Sequence, residues 1–266
     1  MLKTPSGVFC YNLFMTKVND YDRYASARQD RLIGGKSLAH RFVEKPAMKK
    51  LLPNLKHKRV LMLGCGTGEE SALLEEFGAD KMVGMDLSAE SVRLAAASYP
   101  KHAFLAGDMH ALDFPNAEYD FVYSSLTIHY TKNPLAVYKE IFRILKPGGT
   151  LQFSIGHPMR WASERVNIGG VPTKLLGYAE GKTGPRLYGS YSNFALYDET
   201  FKTGEVLEYW IGPPSLHFGL LKEVGFSVEQ FVETQAIEEC KEVDPYYYER
   251  FSQFPQFIVF VASKPL

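Results

Sequence analysis

Between residues 60 and 155, short apolar runs alternate with stretches whose apolar residues recur at helical spacing. Val60-Leu61-Met62-Leu63, Met82-Val83-Gly84-Met85, Ala103-Phe104-Leu105-Ala106, residues 119–125 and residues 151–155 read as five strands. They are bounded by turn residues and apolar enough to be buried in a sheet. Between them, Ser88-Ala89-Glu90 offers a cap and first turn to a segment carrying Val92, Leu94 and Ala95. Pro134 opens a second helix, with Val137, Ile141, Ile144 and Leu145 on one face, and Lys146-Pro147-Gly148-Gly149-Thr150 stops it. Strands alternating with helices in this rhythm predict a doubly wound parallel sheet covered on both faces. Residues 226–232 and 257–262 add a hairpin-like pair of strands.

Two segments fall outside this rhythm. Residues 1–58 carry Tyr11, Tyr21, Tyr24 and Arg28 ahead of a helix over 37–52, broken near Pro46. Residues 157–214 form a long insertion rich in glycine and aromatic residues, in which 187–201 and 206–210 look like short strands. So long a connection inside a domain is functional or has structure of its own. An antiparallel cap over a pocket is the expectation, with Trp161 and Tyr191 among the aromatic side chains offered to a flat or apolar ligand. A helix over 215–224 follows, and Tyr246-Tyr247-Tyr248-Glu249-Arg250 is expected to decorate a later helix.

The chemistry concentrates at the first strand's end. Gly64, Gly66 and Gly68 let the chain turn tightly and approach a ligand closely, and Asp86 follows the last of them by eighteen residues, at the end of the second strand. That pairing points to a nucleotide-like ligand whose sugar hydroxyls an acid would grip. A dinucleotide fingerprint would need G-x-G-x-x-G, whereas here G-x-G-x-G runs into Glu69-Glu70, whose charges would repel a pyrophosphate. No Lys-Ser or Lys-Thr follows the turn, so a P-loop is excluded.

Five stretches occur in order: VLMLGCGTG, GMDLS ending the second strand, AGDM after the third, DFVYSSLTIHY after the fourth and LKPGGTL before the fifth. In these the chain resembles the class I S-adenosylmethionine-dependent methyltransferases, in particular the small-molecule group that includes the ubiquinone and menaquinone biosynthesis enzymes. The resemblance implies a Rossmann-like seven-stranded, mostly parallel sheet with the last strand antiparallel. It divides the chain into an N-terminal helical lid (1–58), a donor-binding core (59–156), a substrate cap (157–214) and the remaining core sheet (215–266). It implies S-adenosyl-L-methionine as cofactor, with Gly64, Cys65, Gly66 and Gly68 against its methionine and ribose parts. Asp86, followed by Leu87, would hold the ribose hydroxyls, Asp108 and Met109 the adenine, and Ser124 and Ser125 would sit where the sheet opens toward the donor. Tyr21 or Tyr24 becomes a lid residue facing the substrate. Members of this family usually carry an acid two residues before the first glycine, to orient the donor's amino group; this chain has Met62 there. A His-Arg pair found in relatives ahead of the next helix is replaced by Ile211-Gly212.

His129, past the fourth strand, and His157, closing the fifth, titrate near neutral pH and are the candidate catalytic bases, His129 also as a substrate contact. Neither belongs to a metal-like cluster, and no metal is expected. Thirty basic side chains balance thirty acidic ones, which argues against nucleic acid as main partner. Lys45, Lys49, Lys50, Lys56, Lys58 and Arg59 form a local basic run, read as a solvated helix face. Three cysteines, at 10, 65 and 240, make no disulfide framework, and no stretch reaches membrane-spanning length, so a cytoplasmic protein is expected. Methyl transfer to an oxygen, nitrogen or carbon of a small aromatic or apolar metabolite is the leading reading. An RNA- or protein-directed methyltransferase, or a silent binding module, is the alternative. Nothing in the sequence fixes the oligomeric state.

Overall fold

All four side chains of β1 (Val60–Leu63) are buried, and they alternate between two apolar layers. Leu61 and Leu63 join Val137, Ile141 and Leu221 on one face, while Val60 and Met62 join Met48, Leu55, Leu73 and Leu74 on the other. This computed structural model describes residues 22, 25–27, 29, 30, 37–200 and 206–266. Tyr21, Tyr24, Cys10 and Phe201 lie outside the described residues.

Beside β1 run β2 (Met82–Asp86), β3 (Ala103–Ala106), β4 (Tyr119–Ser124) and β5 (Leu145–Gly156), all parallel. The insertion contributes three antiparallel pairs: β6 (Glu164–Ile168) with β7 (Val171–Leu175), β8 (Gly177–Ala179) with β9 (Arg186–Tyr188), and β10 (Ala195–Thr200) with β11 (Val206–Ile211). β12 (Ser227–Glu233) and β13 (Phe257–Ser263) complete a seven-stranded sheet of order β12-β13-β5-β4-β1-β2-β3. β13 is antiparallel to both neighbours, as the sequence leads one to expect of the last strand.

Helix ends follow local chemistry. The Ser88 hydroxyl accepts the Ser91 N–H at 3.0 Å and caps the Ala89–Ser98 helix. Asn133 does the same for Ala136 at the start of Pro134–Ile144, where proline occupies the first turn. That helix ends one residue earlier than expected, and β5 begins six residues earlier, because Leu145 is already extended and pairs with Tyr119. A register shift after Tyr119 and a left-handed Gly148 absorb the irregularity. The expected strand over 187–201 is interrupted at Gly189, whose φ is +72° and whose backbone sits so close to Ala162 that a Cβ would lie 2.0 Å from its carbonyl oxygen.

The helical run ending at Lys50 contains a π turn, His40–Glu44, immediately before Lys45-Pro46. The widened turn buries Phe42, Val43 and Glu44 together, so the predicted break at proline takes the form of one extra residue in the turn. Of the basic run, Lys45 pairs with Glu70, Lys49 with Glu76 and Arg59 with Glu118. No helix among the described residues is long and apolar enough to cross a membrane.

Behind the sheet, Tyr138 and His217 form a fully buried pair with Tyr138 Oη and His217 Nδ1 2.7 Å apart. Burial pushes the His217 pKa from 6.5 to about 4. The folded state therefore excludes a proton that the unfolded chain binds below its own pKa, and stability falls as pH drops from 6.5 toward 4. The shift corresponds to about 3 kcal/mol. Urea denaturation of the wild type and of His217→Gln at pH 7, 5.5 and 4 should show the wild type losing about 3 kcal/mol relative to the variant across this window. Parallel stability curves would show that His217 is protonated without cost.

Candidate active site

The carboxylate of Asp86 spans two chain segments. One oxygen accepts the Gly66 N–H at 2.8 Å and the other the Ser88 N–H at 3.0 Å, so it ties the glycine turn to the loop after β2. Each oxygen keeps one lone pair for a ligand. The turn is closed from the other side by Gly64 and Cys65, whose N–H groups donate to the Met85 carbonyl at 2.7 and 3.0 Å. At Gly64 the φ is +69° and a Cβ would fall 2.1 Å from Thr127, so only glycine lets the loop after β4 close against the turn. At Gly66 a Cβ would meet nothing within 4 Å, so its backbone is open.

A cleft of about 2060 Å³ begins at this turn and runs to the β10–β11 pair. It exceeds the roughly 300–1,000 Å³ typical of a single small-ligand pocket and can hold two reactants side by side. Gly64, Cys65, Gly66, Asp86, Leu87, Asp108, Met109 and Ser125 all line its first half. Burial, with Asp86 beside it, pushes the Cys65 thiol well up, so it stays protonated and unreactive at neutral pH. Asp108 is engaged by His110, through the backbone N–H at 2.9 Å and ring Nδ1 at 2.6 Å, and His110 Nε2 lies 2.6 Å from Thr131 Oγ1. His110 was not anticipated from sequence. Gly68 and Ser124 do not reach the cleft. Gly68 lies against Tyr99, 2.9 Å from where its Cβ would be, and serves helix packing; Ser124 is fully buried.

Met62, in the position of the missing acid, is 1 % exposed, and its sulfur accepts the Ser71 hydroxyl at 3.7 Å. Two other carboxylates stand near that end. Glu70 lines the cleft, with Tyr123 Oη donating to it at 3.0 Å and Lys45 and His40 at 3.2 and 3.4 Å. Glu44, fully buried, accepts the Ser125 and Ser154 hydroxyls at 2.8 and 2.6 Å, and burial raises its pKa against the pull of His40. Glu70 Oε1 faces the Lys45 ammonium and the His40 imidazole, and Glu44 Oε2 lies 3.5 Å from His40 Nε2. The sequence signals Glu70 only as a charge after the turn, and Glu44 not at all. The same network fixes Leu126, whose left-handed φ of +49° is strained for a branched residue and whose N–H donates to Ser154 Oγ at 2.9 Å. Asp22 reaches over this end, accepting the Ser88 hydroxyl at 2.6 Å and the Glu90 N–H at 3.2 Å.

The second half of the cleft is aromatic. His129 is buried, its ring edge-on to Tyr130 and Tyr209 at 4.7 and 4.9 Å, and its Nδ1 accepts the Gly156 N–H at 3.1 Å. That bond places the proton of the neutral ring on Nε2, so the ring offers a donor rather than a basic lone pair. Trp161 packs on Tyr209 and Phe257 at 5.6 and 5.9 Å. His157 stands outside the cleft: Nδ1 caps the Pro158–Trp161 turn by accepting the Met159 N–H, and Nε2 lies 2.9 Å from Glu233. Burial lowers its pKa against the pull of Glu233. A histidine closing a strand here is a cap. Tyr191 is 39 % exposed and also lies off the cleft. In contrast, Tyr246, Tyr247 and Arg250, expected as decoration, line it, because the Pro245–Gln253 helix leads into β13 along the cleft's edge.

Residues 61–153 match the family model described as "Methyltransferase domain". The chain is 33% identical over 152 residues to a demethylmenaquinone methyltransferase of Lactococcus lactis, covering 53% of this chain and 60% of that one. It is 42% identical over 108 residues to a malonyl-[acyl-carrier protein] O-methyltransferase of Herminiimonas arsenicoxydans, covering 40% of each. The chain spans about half the length of the curated relatives it matches. An S-adenosylmethionine-dependent methyltransferase from Mesorhizobium loti superimposes with a TM-score of 0.65 at 25% identity, over 83% of this chain and 97% of that one. With the sheet order and the glycine turn tied to Asp86, these likenesses identify residues 61–153 as a class I S-adenosylmethionine-dependent methyltransferase domain.

Proposed function

We propose that this chain transfers a methyl group from S-adenosylmethionine to a nucleophile of a small aromatic or apolar metabolite. The observation that carries this is one cleft joining the glycine turn and Asp86 to an aromatic chamber walled by Tyr130, Trp161 and Tyr209. The relatives' names attach such domains to two unlike acceptors, demethylmenaquinone and malonyl-acyl carrier protein, so the acceptor has to be read from this chain's own insertion.

The residues at the turn suit the donor. Asp86 has two lone pairs left for a ribose diol, and the open backbone at Gly66 permits close approach. Asp108 and Met109, which line the same half of the cleft, take the adenine in this reading. Glu70, backed by Glu44, takes the role of the acid missing at Met62 and holds the donor's ammonium with the carboxylate it presents to the cleft. When bound, the donor contributes an electrophilic methyl on a sulfonium. The chain's part is to orient the acceptor, exclude water and supply the field: Glu69, Glu70, Asp86 and Asp108 line this half, and among the described residues no lysine or arginine does. His129 positions the acceptor as a hydrogen-bond donor through Nε2–H. Asp22, reaching across to Ser88, supports reading the N-terminal segment as a lid. None of Lys45, Lys49, Lys50, Lys56, Lys58 and Arg59 lines the cleft, and Lys45, Lys49 and Arg59 are each paired with an acid, which favours a small acceptor over RNA.

Calorimetry tests the donor site. S-adenosylhomocysteine should bind and NAD should not. Asp86→Asn should weaken S-adenosylhomocysteine at least tenfold, as expected for loss of a charge-assisted contact of about 1.5–3 kcal/mol. Glu70→Gln should weaken it about tenfold while leaving 5′-methylthioadenosine, which lacks the amino acid part, unaffected. NAD binding without any response to S-adenosylhomocysteine would refute the reading.

The histidine assignment is checked by nitrogen-detected NMR of the imidazoles. His129 should show a protonated Nε2 and an unprotonated Nδ1 at pH 7.5 to 8. The opposite tautomer would restore His129 as a general base.

A further inference from the structure

The cleft is divided by charge, and its aromatic half holds more cations than structure requires. Arg165 on β6 stands directly opposite Lys174 on β7, a like-charge cross-strand pair that weakens the pair it sits in. Lys174 Nζ donates to the Arg160 carbonyl at 2.6 Å, which holds it beside a second arginine. Arg250 stacks over Phe251 at 4.2 Å and Tyr247 at 5.5 Å. All four line the cleft. Against them stands Glu199, 2.5 Å from Arg160. Arg165, Lys174 and Arg250 have no carboxylate partner among the described residues. Beyond the group, the aromatic half also presents Lys132, over the Trp210 ring at 5.4 Å, and Glu208. Burial, then Arg160, Arg165 and Arg250, push the Lys174 ammonium below its usual range, opposed by Glu199. Beside them the Trp161 indole N–H is buried without an acceptor among the described residues, and Arg160 covers the ring at 4.7 Å.

Mutual repulsion of this kind is relieved by an anion. We propose that the acceptor carries a carboxylate or phosphate group, seated among Arg160, Arg165, Lys174 and Arg250, which anchors it at the end of the cleft away from Asp86. This rests on the methyltransferase reading and narrows its substrate to anionic metabolites. The four cations belong to a cleft shared with aromatic walls, and the chain's overall charge is balanced, so a small acceptor fits better than a polyanion.

The test uses the full chain saturated with S-adenosylhomocysteine and reads thermal midpoints at constant ionic strength set with chloride. Benzoate, phenyl phosphate and inorganic phosphate are the anionic probes and benzamide the neutral one. At least one anionic probe should raise the midpoint of the wild type and benzamide should not; benzoate against phenyl phosphate shows which oxyanion is preferred. In Arg165→Met/Lys174→Met the anion response should fall at least tenfold in apparent affinity, while the ligand-free variant melts no lower than the wild type. S-adenosylhomocysteine affinity, kept within twofold, certifies the donor site. Equal response to benzamide, no response to any anion, an undiminished response in the double variant, or stabilisation by single-stranded RNA alone would each overturn the proposal. Failure to bind S-adenosylhomocysteine would instead sink the methyltransferase reading on which it stands.

Discussion

One carboxylate fixes the geometry on which the site depends. Asp86 ends β2, yet its two oxygens hold amides from the turn after β1 and from the loop before the Ala89–Ser98 helix. Parallel pairing of β1 with β2 brings the two strand ends together, and Asp86 converts that adjacency into a defined surface. Everything along the cleft is referenced to this point: Thr127 closes on Gly64, Ser125 hangs from Glu44, and Asp22 reaches over Ser88. A group that supports the backbone and still has lone pairs to offer links folding to ligand affinity, because loss of the charge disturbs both.

The two halves of the cleft obtain their character differently. Around the turn, acids gather at the carboxyl ends of parallel strands, where a doubly wound sheet opens. The aromatic half is made by an insertion with little core of its own: Leu207, Tyr209 and Ile211 are buried, while β8 is exposed along its whole length. Elements that bury so little apolar surface are held mainly by one another and by the wall they form. The like-charge pair of Arg165 and Lys174 sits in the short β6–β7 pair, none of whose side chains is buried.

The sheet and its order are legible in the sequence because buried parallel strands announce themselves as apolar runs, and because glycine turns and proline stops punctuate them. The residues facing the glycine turn are legible for the same reason, each lying next to its strand in sequence. Legibility fails where contact is made across long separations. Glu44 meets Ser125 and Ser154 from a helix that reads as amphipathic, and nothing local distinguishes a buried glutamate from a solvated one. Arg250 and Lys174 come from different elements and converge only in space. His157 shows the converse failure: its position after β5 reads as that of a catalytic base, but a histidine followed by proline at a helix start is also a cap, and Glu233 arrives from β12 to engage the second nitrogen.

The π turn at His40–Glu44 sets a rule for the length of the N-terminal arm. A π turn accommodates one residue more than a regular helix needs, and each residue rotates a helix by about 100°. Removing a single residue between Ser37 and Pro46 would let the run close into an ordinary helix, at no loss to its backbone hydrogen bonding. It would also swing the preceding residues around the axis and carry His40 away from the two carboxylates it serves. The arm is thus counted out to the residue: the number of residues, and not only their side chains, keeps Glu44 facing Ser154.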